Sequence, residues 1–290
     1  QDMFVAKFDR DGSYLWAIEP GNSYQETALG LTVGLCDEVY LCGRFRGSVD
    51  FDPGPGFQFQ TALAPGIFDL WGYFVAKYDR NGQYVWSGSG GTSGLSDMVD
   101  IALGPYGGLY GIGNLLLGSD ADMGSGTSII NPTGHGDAFF SKHRVGRRKL
   151  YINTSLPDTK GSWEKAIEVS NANSGADTLC FCYPKWSPPG TPSLFWKSYN
   201  HPLPQITDDS TRIDGTTQAD YSPSAANMII RSYGLANYAL EVFGDYFEME
   251  GFRIWGELYG IKFQGADHFA LKNNVFQNTI VENLQIDSSD

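Results

Sequence analysis

The sequence has no run of about 18 apolar residues, so no stretch of it reads as a membrane-spanning helix. It has no Gly-x-Ser-x-Gly nucleophile elbow and no phosphate-cradling loop, so two common enzyme signatures are missing. Histidine is scarce: His135, His143, His201 and His268 are scattered, with no Ser-His-Asp order around them. Basic residues are outnumbered, 20 against 33 acidic, and the formal net charge of -13 argues against nucleic acid or an anionic membrane surface as the main partner. An acidic surface is compatible with calcium and with neutral glycans, but a solvated face is the commoner explanation. Cysteine is limited to Cys36, Cys42, Cys180 and Cys182. A hairpin turning near Asp37 sets Cys42 opposite Thr32 rather than Cys36. Cys-x-Cys at 180–182 offers too few ligands for zinc. Unpaired cysteines are therefore expected. Helix signals are nearly absent too, with one convincing segment.

Glycine and aromatics are plentiful: 36 Gly, 18 Phe, 16 Tyr and 7 Trp. Glycine-rich turns and aromatic segments predict an all-β chain. A length of 290 residues suggests about two domains, here 1–149 and 150–290, joined through the basic stretch Arg144 to Lys149. The chain starts just before a strand pattern and stops just after one, as expected of a segment of a longer polypeptide.

The first half is an internal repeat. DMFVAKFDRDGSYLW (2–16) returns as GYFVAKYDRNGQYVW (72–86), and a partial third copy opens with DAFFSKHRVGRRKL at Asp137. The offset of 70 also matches Leu31 to Ile101, Tyr40 to Tyr110, and Asp50-Phe-Asp52-Pro-Gly54-Pro-Gly56 to Asp120-Ala-Asp122-Met-Gly124-Ser-Gly126. Each copy predicts four strands. Asp11-Gly12 and Asn81-Gly82 read as two-residue hairpin turns, both positions tolerating positive φ. A second pair, 29–35 and 39–45, turns at Asp37-Glu38, and at Tyr106-Gly107 in copy two. Two copies cannot close a ring of blades, which takes at least four, and the third copy reads as a strand completing the second blade.

These segments resemble the SBBP-type β-propeller repeats of bacteria. VDFDPGPG is similar to a loop found in such repeats from large proteins exported by type IX secretion. The resemblance covers about residues 1–145 and implies propeller-like blades and an extracellular or cell-surface location.

The Asp-x-Asp-x-Gly loops make Asp50, Asp52, Asp120 and Asp122 calcium candidates, since paired carboxylates in a glycine-rich turn can wrap a hard cation. The alternative is that the carboxylates cap their own turn. No third acid follows at the usual calcium-loop spacing.

In the second half, Gly161 to Asn173 predicts an amphipathic helix capped by Ser162, with Trp163, Ala166, Ile167 and Ser170 on one face and Gly175 ending it. A strand follows at 177–182, then a Pro-, Ser- and Gly-rich excursion over 183–204. From Tyr238 a shorter repeat appears at an offset of 21, then 22: Leu240 matches Ile261, Val242 Phe263, Gly244 Gly265, Phe247 Phe269, and Met249 Leu271. About 20 residues per turn with Gly or Asn at corners fits a parallel β-helix. KGSWEKAIEVSNANSGADTLCF looks like the entry segment of pectin-lyase-like right-handed β-helices in bacterial surface proteins, whose helix caps the first coil.

No catalytic set stands out. Asp208-Asp209 reads as solvated turn acids. Glu241, Glu248, Glu250, Arg253, Lys262, Asp267 and His268 alternate outward and could line a groove. Trp71, Trp186, Trp196 and Trp255 could stack on sugars, though packing explains them as well. The expected function is a non-catalytic, adhesin-like or structural surface module that meets glycans, other proteins or copies of itself. The alternatives are a polysaccharide lyase or glycoside hydrolase, and a lectin-like ring of two-blade chains.

Overall fold

A computed structural model of the chain describes residues 3–21, 25–62, 71–91, 96–104, 108–116, 118–123, 126–134, 136–144, 148–153, 161–173, 175–183, 195–199, 203–218, 228–232, 238–255, 259–277 and 282–287. The chain is all-β apart from one α-helix and a short 3-10 turn among these residues, and it divides into two compact units, 1–144 and 145–290.

The first unit contains β1 (Val5–Phe8), β2 (Tyr14–Ile18), β3 (Glu26–Val33), β4 (Val39–Phe45), β5 (Ser48–Asp50), β6 (Phe59–Thr61), β7 (Gly72–Tyr78), β8 (Tyr84–Gly90), β9 (Ser96–Leu103), β10 (Gly108–Leu115), β11 (Ser119–Asp120), β12 (Ile129–Ile130) and β13 (Asp137–Arg144). All pairings are antiparallel. The sequence repeat and the sheet are out of phase. The four-stranded sheet β3-β4-β7-β8 takes two strands from the first copy and two from the second. The sheet β13-β10-β9 likewise draws its edge strand from the third copy, and β1-β2 stand as a separate pair. The pairing of Phe45 with Gly72 recurs as Leu115 with Asp137, so the partial third copy takes the place β7 takes one repeat earlier.

The hairpin turns correct the expectation of two-residue loops. Gly12 and Gly82 are left-handed, at φ 82° and 80°, but Asp11 and Asn81 are not. The Asp9 amide donates to Ser13 O (2.8 Å) and the Gly12 amide to Asp9 O (3.1 Å), which makes a three-residue loop ending in a left-handed glycine. Asp9 Oδ1 then accepts from the amides of Asp11 (3.0 Å) and Ser13 (2.7 Å), and Asp79 does the same for Asn81 and Gln83 (2.8 and 2.9 Å). The carboxylate two residues before the expected turn decides the turn type. The β3-β4 loop is built alike: the Asp37 amide donates to Gly34 O (3.0 Å), and Asp37 itself is left-handed at φ 62°. The turn is centred on Cys36, so Cys42 faces Gly30 and not the expected Thr32. The expected turn at Tyr106-Gly107 lies outside the described residues.

On one face of β4 and β7, Val39, Leu41, Phe45, Phe74, Ala76 and Tyr78 form a core with Met3 and Val5 of the first copy and with Val49 and Phe51. The opposite face meets β9, where the Cys42 thiol donates to Met98 O (3.4 Å). Consecutive sheets of this unit are thus packed face to face. Cys42 and Cys180 are free, buried thiols. Cys36 and Cys182 are not among the free thiols, which corrects the expectation of unpaired cysteines at those positions.

The second unit contains β14 (Arg148–Ile152), α1 (Trp163–Asn171), β15 (Asp177–Phe181), β16 (Phe195–Tyr199), β17 (Thr211–Asp214), β18 (Met228–Ser232), β19 (Tyr238–Val242), β20 (Phe247–Glu250), β21 (Phe252–Trp255), β22 (Tyr259–Gln264), β23 (Phe269–Lys272), β24 (Val275–Gln277) and β25 (Glu282–Asp287). Every pairing among these strands is parallel. Three sheets result: β14-β15-β17-β20-β23, β16-β18-β21-β24 and β19-β22-β25. From β17 onward successive strands enter the three sheets in strict rotation. The repeat register is also the pairing register, because Leu240 pairs Ile261, Val242 Phe263, Phe247 Phe269 and Met249 Leu271. β16 lies inside the stretch read as an excursion; its five aromatic-rich residues were masked by Pro, Ser and Gly on both sides.

The core of this unit is a column of apolar side chains between the three sheets, among them Leu179, Phe181, Ile213, Ile230, Leu240, Phe247, Met249, Phe252, Ile254, Ile261 and Phe263. Helix α1 closes it with Trp163, Ala166 and Ile167, Trp163 meeting the rings of Phe181 (4.8 Å) and Phe252 (5.8 Å). Ser162 caps the helix as expected, accepting from the Lys165 amide (3.2 Å). The helix stops before Gly175: Ala172 is the C-cap, and Asn173 Nδ2 donates to Val169 O (2.9 Å). Corners are fixed by side chains. Asp209 Oδ1 accepts from the Asp245 amide (2.9 Å), and Asp245 Oδ1 accepts from the Asp267 amide (2.7 Å). Left-handed residues stand at Gly251, Gly265 and Asn273, and also at Ser210 and Tyr246, where the sequence gives no glycine or asparagine signal.

Candidate functional site

The Asp-x-Asp-x-Gly loops leave β5 and β11 at Asp50 and Asp120. Asp50 Oδ1 accepts from the amides of Asp52 (3.1 Å) and Gln58 (2.8 Å). Asp120 Oδ1 accepts from the amides of Asp122 (3.0 Å) and Ser128 (2.8 Å), the same pattern 70 residues on. Asp52 Oδ1 takes the amide of Gly54 (2.8 Å). Its other oxygen lies 2.3 Å from where a Cβ on Gly56 would sit, and Asp122 Oδ2 lies 2.2 Å from the corresponding point on Gly126. These glycines are needed because the carboxylates fold over the loop backbone. The arrangement is a self-capped turn. Calcium wants six to eight oxygen ligands, and two carboxylates already engaged by backbone amides are a poor fit to that demand. Among the described residues no three His, Cys, Asp or Glu side chains gather to hold a metal ion.

The outward face of the second unit carries a charge cluster across β17 and β20. Arg212 bonds Asp214 (3.0 Å), Glu248 (3.5 Å) and Glu250 (3.1 Å). Parallel register brings them together, since Arg212 pairs Glu248 and Asp214 pairs Glu250. Asn273 Nδ2 adds a bond to Glu250 (3.0 Å). Two of the groove candidates, Glu248 and Glu250, are therefore held by one guanidinium. Glu241 and Lys262 are neighbours in the third sheet; Glu241 accepts from Gln205 (2.9 Å), and the Lys262 ammonium lies over the Tyr238 ring (5.2 Å). His268 stacks on Tyr246 (4.6 Å), and Asp267 continues the corner ladder. The seven groove candidates are thus spread over all three sheets and a corner.

Asp208 and Asp209 are more than solvated turn acids. Asp209 supports the next corner, and Asp208 accepts from the Thr211 hydroxyl (3.3 Å). Burial and the nearby Asp177 raise the Asp208 carboxyl above the ordinary range. Arg148 forms a buried ion pair with Asp177 through its Nε (2.7 Å) and a second guanidinium nitrogen. Trp71 is covered by the guanidinium groups of Arg44 (4.6 Å) and Arg46 (4.1 Å), in keeping with packing. Trp186, His135 and His201 lie outside the described residues, as do the side chains of Trp196 and Trp255.

The polar group that sequence reasoning missed is Lys77. Its ammonium is buried against Glu38 (3.3 Å) and lies over the Tyr40 ring (5.0 Å). Lys142 lies over Tyr110 in the same way (5.4 Å). Tyr40 pairs Lys77 and Tyr110 pairs Lys142, so the contact belongs to the repeat. The signal was visible in FVAK, FVAK and FFSK. Burial also lowers the His143 imidazole below its ordinary range and pushes the Cys42 thiol up to about 12, with Asp100 adding to the latter. A scan against models of known protein families matches none, and a sequence search of curated proteins finds no match.

Proposed function

We propose that the chain is a non-catalytic, adhesin-like or structural module of a large secreted or cell-surface bacterial protein. In this reading the first unit is a segment of propeller-like blades of the SBBP type, and the second is the capped start of a right-handed parallel β-helix of the pectin-lyase-like kind. The observation that carries it is the agreement of sequence repeat with strand register in both units. Copies 70 residues apart make the same turns and the same antiparallel β3-β4 and β9-β10 contacts, and copies about 21 apart pair in parallel. Such stacks present long, regular surfaces of the kind used for adhesion and assembly. The charged residues facing outward on β17 and β20 are tied into ion pairs around Arg212, which suits a scaffold.

Binding of the chain to an array of surface glycans and matrix proteins tests this reading. Retention on at least one class of glycan or protein, without its conversion, is the expected outcome. No binding to any immobilised class, together with turnover of a soluble polysaccharide, would refute it in favour of a lyase or hydrolase.

A further inference from the structure

We propose that Arg44 and Arg46, both laid over the Trp71 ring, form an oxyanion site that takes the carboxylate of an acidic sugar. The oxyanion site rests on geometry, and the choice of a sugar as its carrier rests on the functional reading above. Arg44 is next to last in β4, Arg46 follows that strand, and Trp71 precedes β7. Phe45 pairs Gly72 and Arg44 pairs Tyr73, so the antiparallel register carries Trp71 toward Arg46. Alternation sets these side chains on one face of the sheet, opposite the face that buries Phe45 and Phe74. The guanidinium carbons of Arg44 and Arg46 lie 4.6 Å and 4.1 Å from the centre of the Trp71 ring.

Two like charges over one ring repel each other, and among the described residues no carboxylate forms an ion pair with Arg44. Its Nε is buried and has no acceptor among those residues. The charge is already partly stripped of water, so an arriving anion meets less desolvation there than at an exposed arginine. The repeat supplies the contrast. One copy later, Asn114 and Leu116 stand where Arg44 and Arg46 do, and Gly136 precedes Asp137 as Trp71 precedes Gly72. There Asn114 faces Asp97 and donates its Nδ2 to that carboxylate (3.0 Å). At the same register Arg44 faces Thr27. The second copy makes the same strand contacts with neither arginine nor tryptophan at these positions. The first copy therefore places a cation where the neighbouring acid is missing, and the sheet does not require it.

Contact with the indole holds each guanidinium in place. A guanidinium so held is a pre-organised fork of N–H donors that matches the two oxygens of a carboxylate. The net charge of -13 limits the size of the ligand. An extended polyanion would be repelled wherever it ran beyond the two arginines. A single carboxylate, as on a terminal uronic acid, meets the arginine pair without that penalty.

Ligand-observed NMR titration of the full chain at low ionic strength tests the proposal, with methyl glucuronide, its neutral counterpart methyl glucoside, and acetate as probes. The glucuronide is expected to bind, more tightly than acetate, and the glucoside not at all. Arg44→Gln is expected to weaken the glucuronide by about tenfold or more, the loss typical of a hydrogen bond to a charged group. Arg44→Lys, which keeps the charge and loses the fork, is expected to fall between Arg44→Gln and wild type. Arg10→Gln removes an exposed charge from the β1-β2 turn and is expected to leave binding unchanged, which separates a local site from net charge. Circular dichroism checks that the variants fold, and Arg44→Lys carries the test if Arg44→Gln does not. Failure of the glucuronide to bind wild type would overturn the site, as would binding that survives Arg44→Gln or that Arg10→Gln weakens equally. Acetate binding as tightly as the glucuronide would overturn the sugar as carrier. Neither result bears on whether the chain turns over a polysaccharide, so the functional reading fails or stands separately.

Discussion

Lys77 and Glu38 form an ion pair deep in the first unit, with side chains 5% and 7% exposed and N···O 3.3 Å apart. Removing one partner leaves the other charge buried in a low-dielectric site with this ion pair gone. That should cost about 3–5 kcal/mol, whereas replacing both by apolar residues of similar volume should be far less damaging. Lys77→Met also loses the contact with Tyr40, worth about 0.5–2 kcal/mol. The expected series is therefore a large loss for Lys77→Met, a large loss for Glu38→Leu, and a double variant more stable than either. Because the chain has two units, bulk unfolding curves would mix their transitions. Hydrogen exchange of β4 and β7 amides, read by mass spectrometry of peptides, isolates the first unit. At about 1.4 kcal/mol per tenfold in rate, each single variant should speed exchange by roughly two to three and a half decades. Single variants within about 0.5 kcal/mol of wild type, or a double variant showing the sum of both losses, would refute the reasoning.

Three further outcomes follow from the same structure. Trp163→Ala opens the capped end of the second unit's core and should cost about 3–5 kcal/mol by denaturant unfolding monitored at α1. Trp163→Phe should cost much less, because the buried indole N–H has no acceptor among the described residues. Cys42, its thiol held near 12 by burial, should resist an aromatic disulfide reagent at pH 8 in the native state and react once the chain is unfolded; fast native labelling would contradict the placement. Chelator treatment should leave the melting temperature unchanged and calorimetry should show no calcium heat, since Asp50 and Asp120 already serve backbone amides; a calcium-dependent rise in melting temperature would show that the loops bind it.

Much of the architecture is written in periodicity. A 70-residue offset locates equivalent strands, and a 21-to-22-residue offset names parallel partners such as Leu240 and Ile261 directly, because in a stacked coil the repeat period and the pairing register are the same quantity. What periodicity does not reveal is phase. A four-strand sequence unit and the four-strand sheet β3-β4-β7-β8 are offset by half a repeat, since which neighbours pair depends on loop paths that the pattern does not encode. Turn type was hidden for a related reason. Asp9 and Asp79 act from outside the dipeptide that signals the turn, and their carboxylates favour the three-residue loop. β16 was illegible because a five-residue strand between proline-rich flanks carries too little alternation to stand out. At the loops of Asp50, Asp52, Asp120 and Asp122 the residue types fit two chemistries, and the hydrogen bonds show the turn-capping one directly. The Lys77 pair was overlooked because alternation assigns a strand lysine to solvent, whereas this one is covered by the next sheet of the stack.

The central claim is that this chain is built to present repeats rather than to turn over a substrate. It is tested most directly by incubating the purified chain with a panel of acidic and neutral polysaccharides and measuring reducing ends and unsaturated products. The account predicts no product above a no-protein control. Product formation that disappears in Glu248→Ala or Lys262→Ala would contradict it.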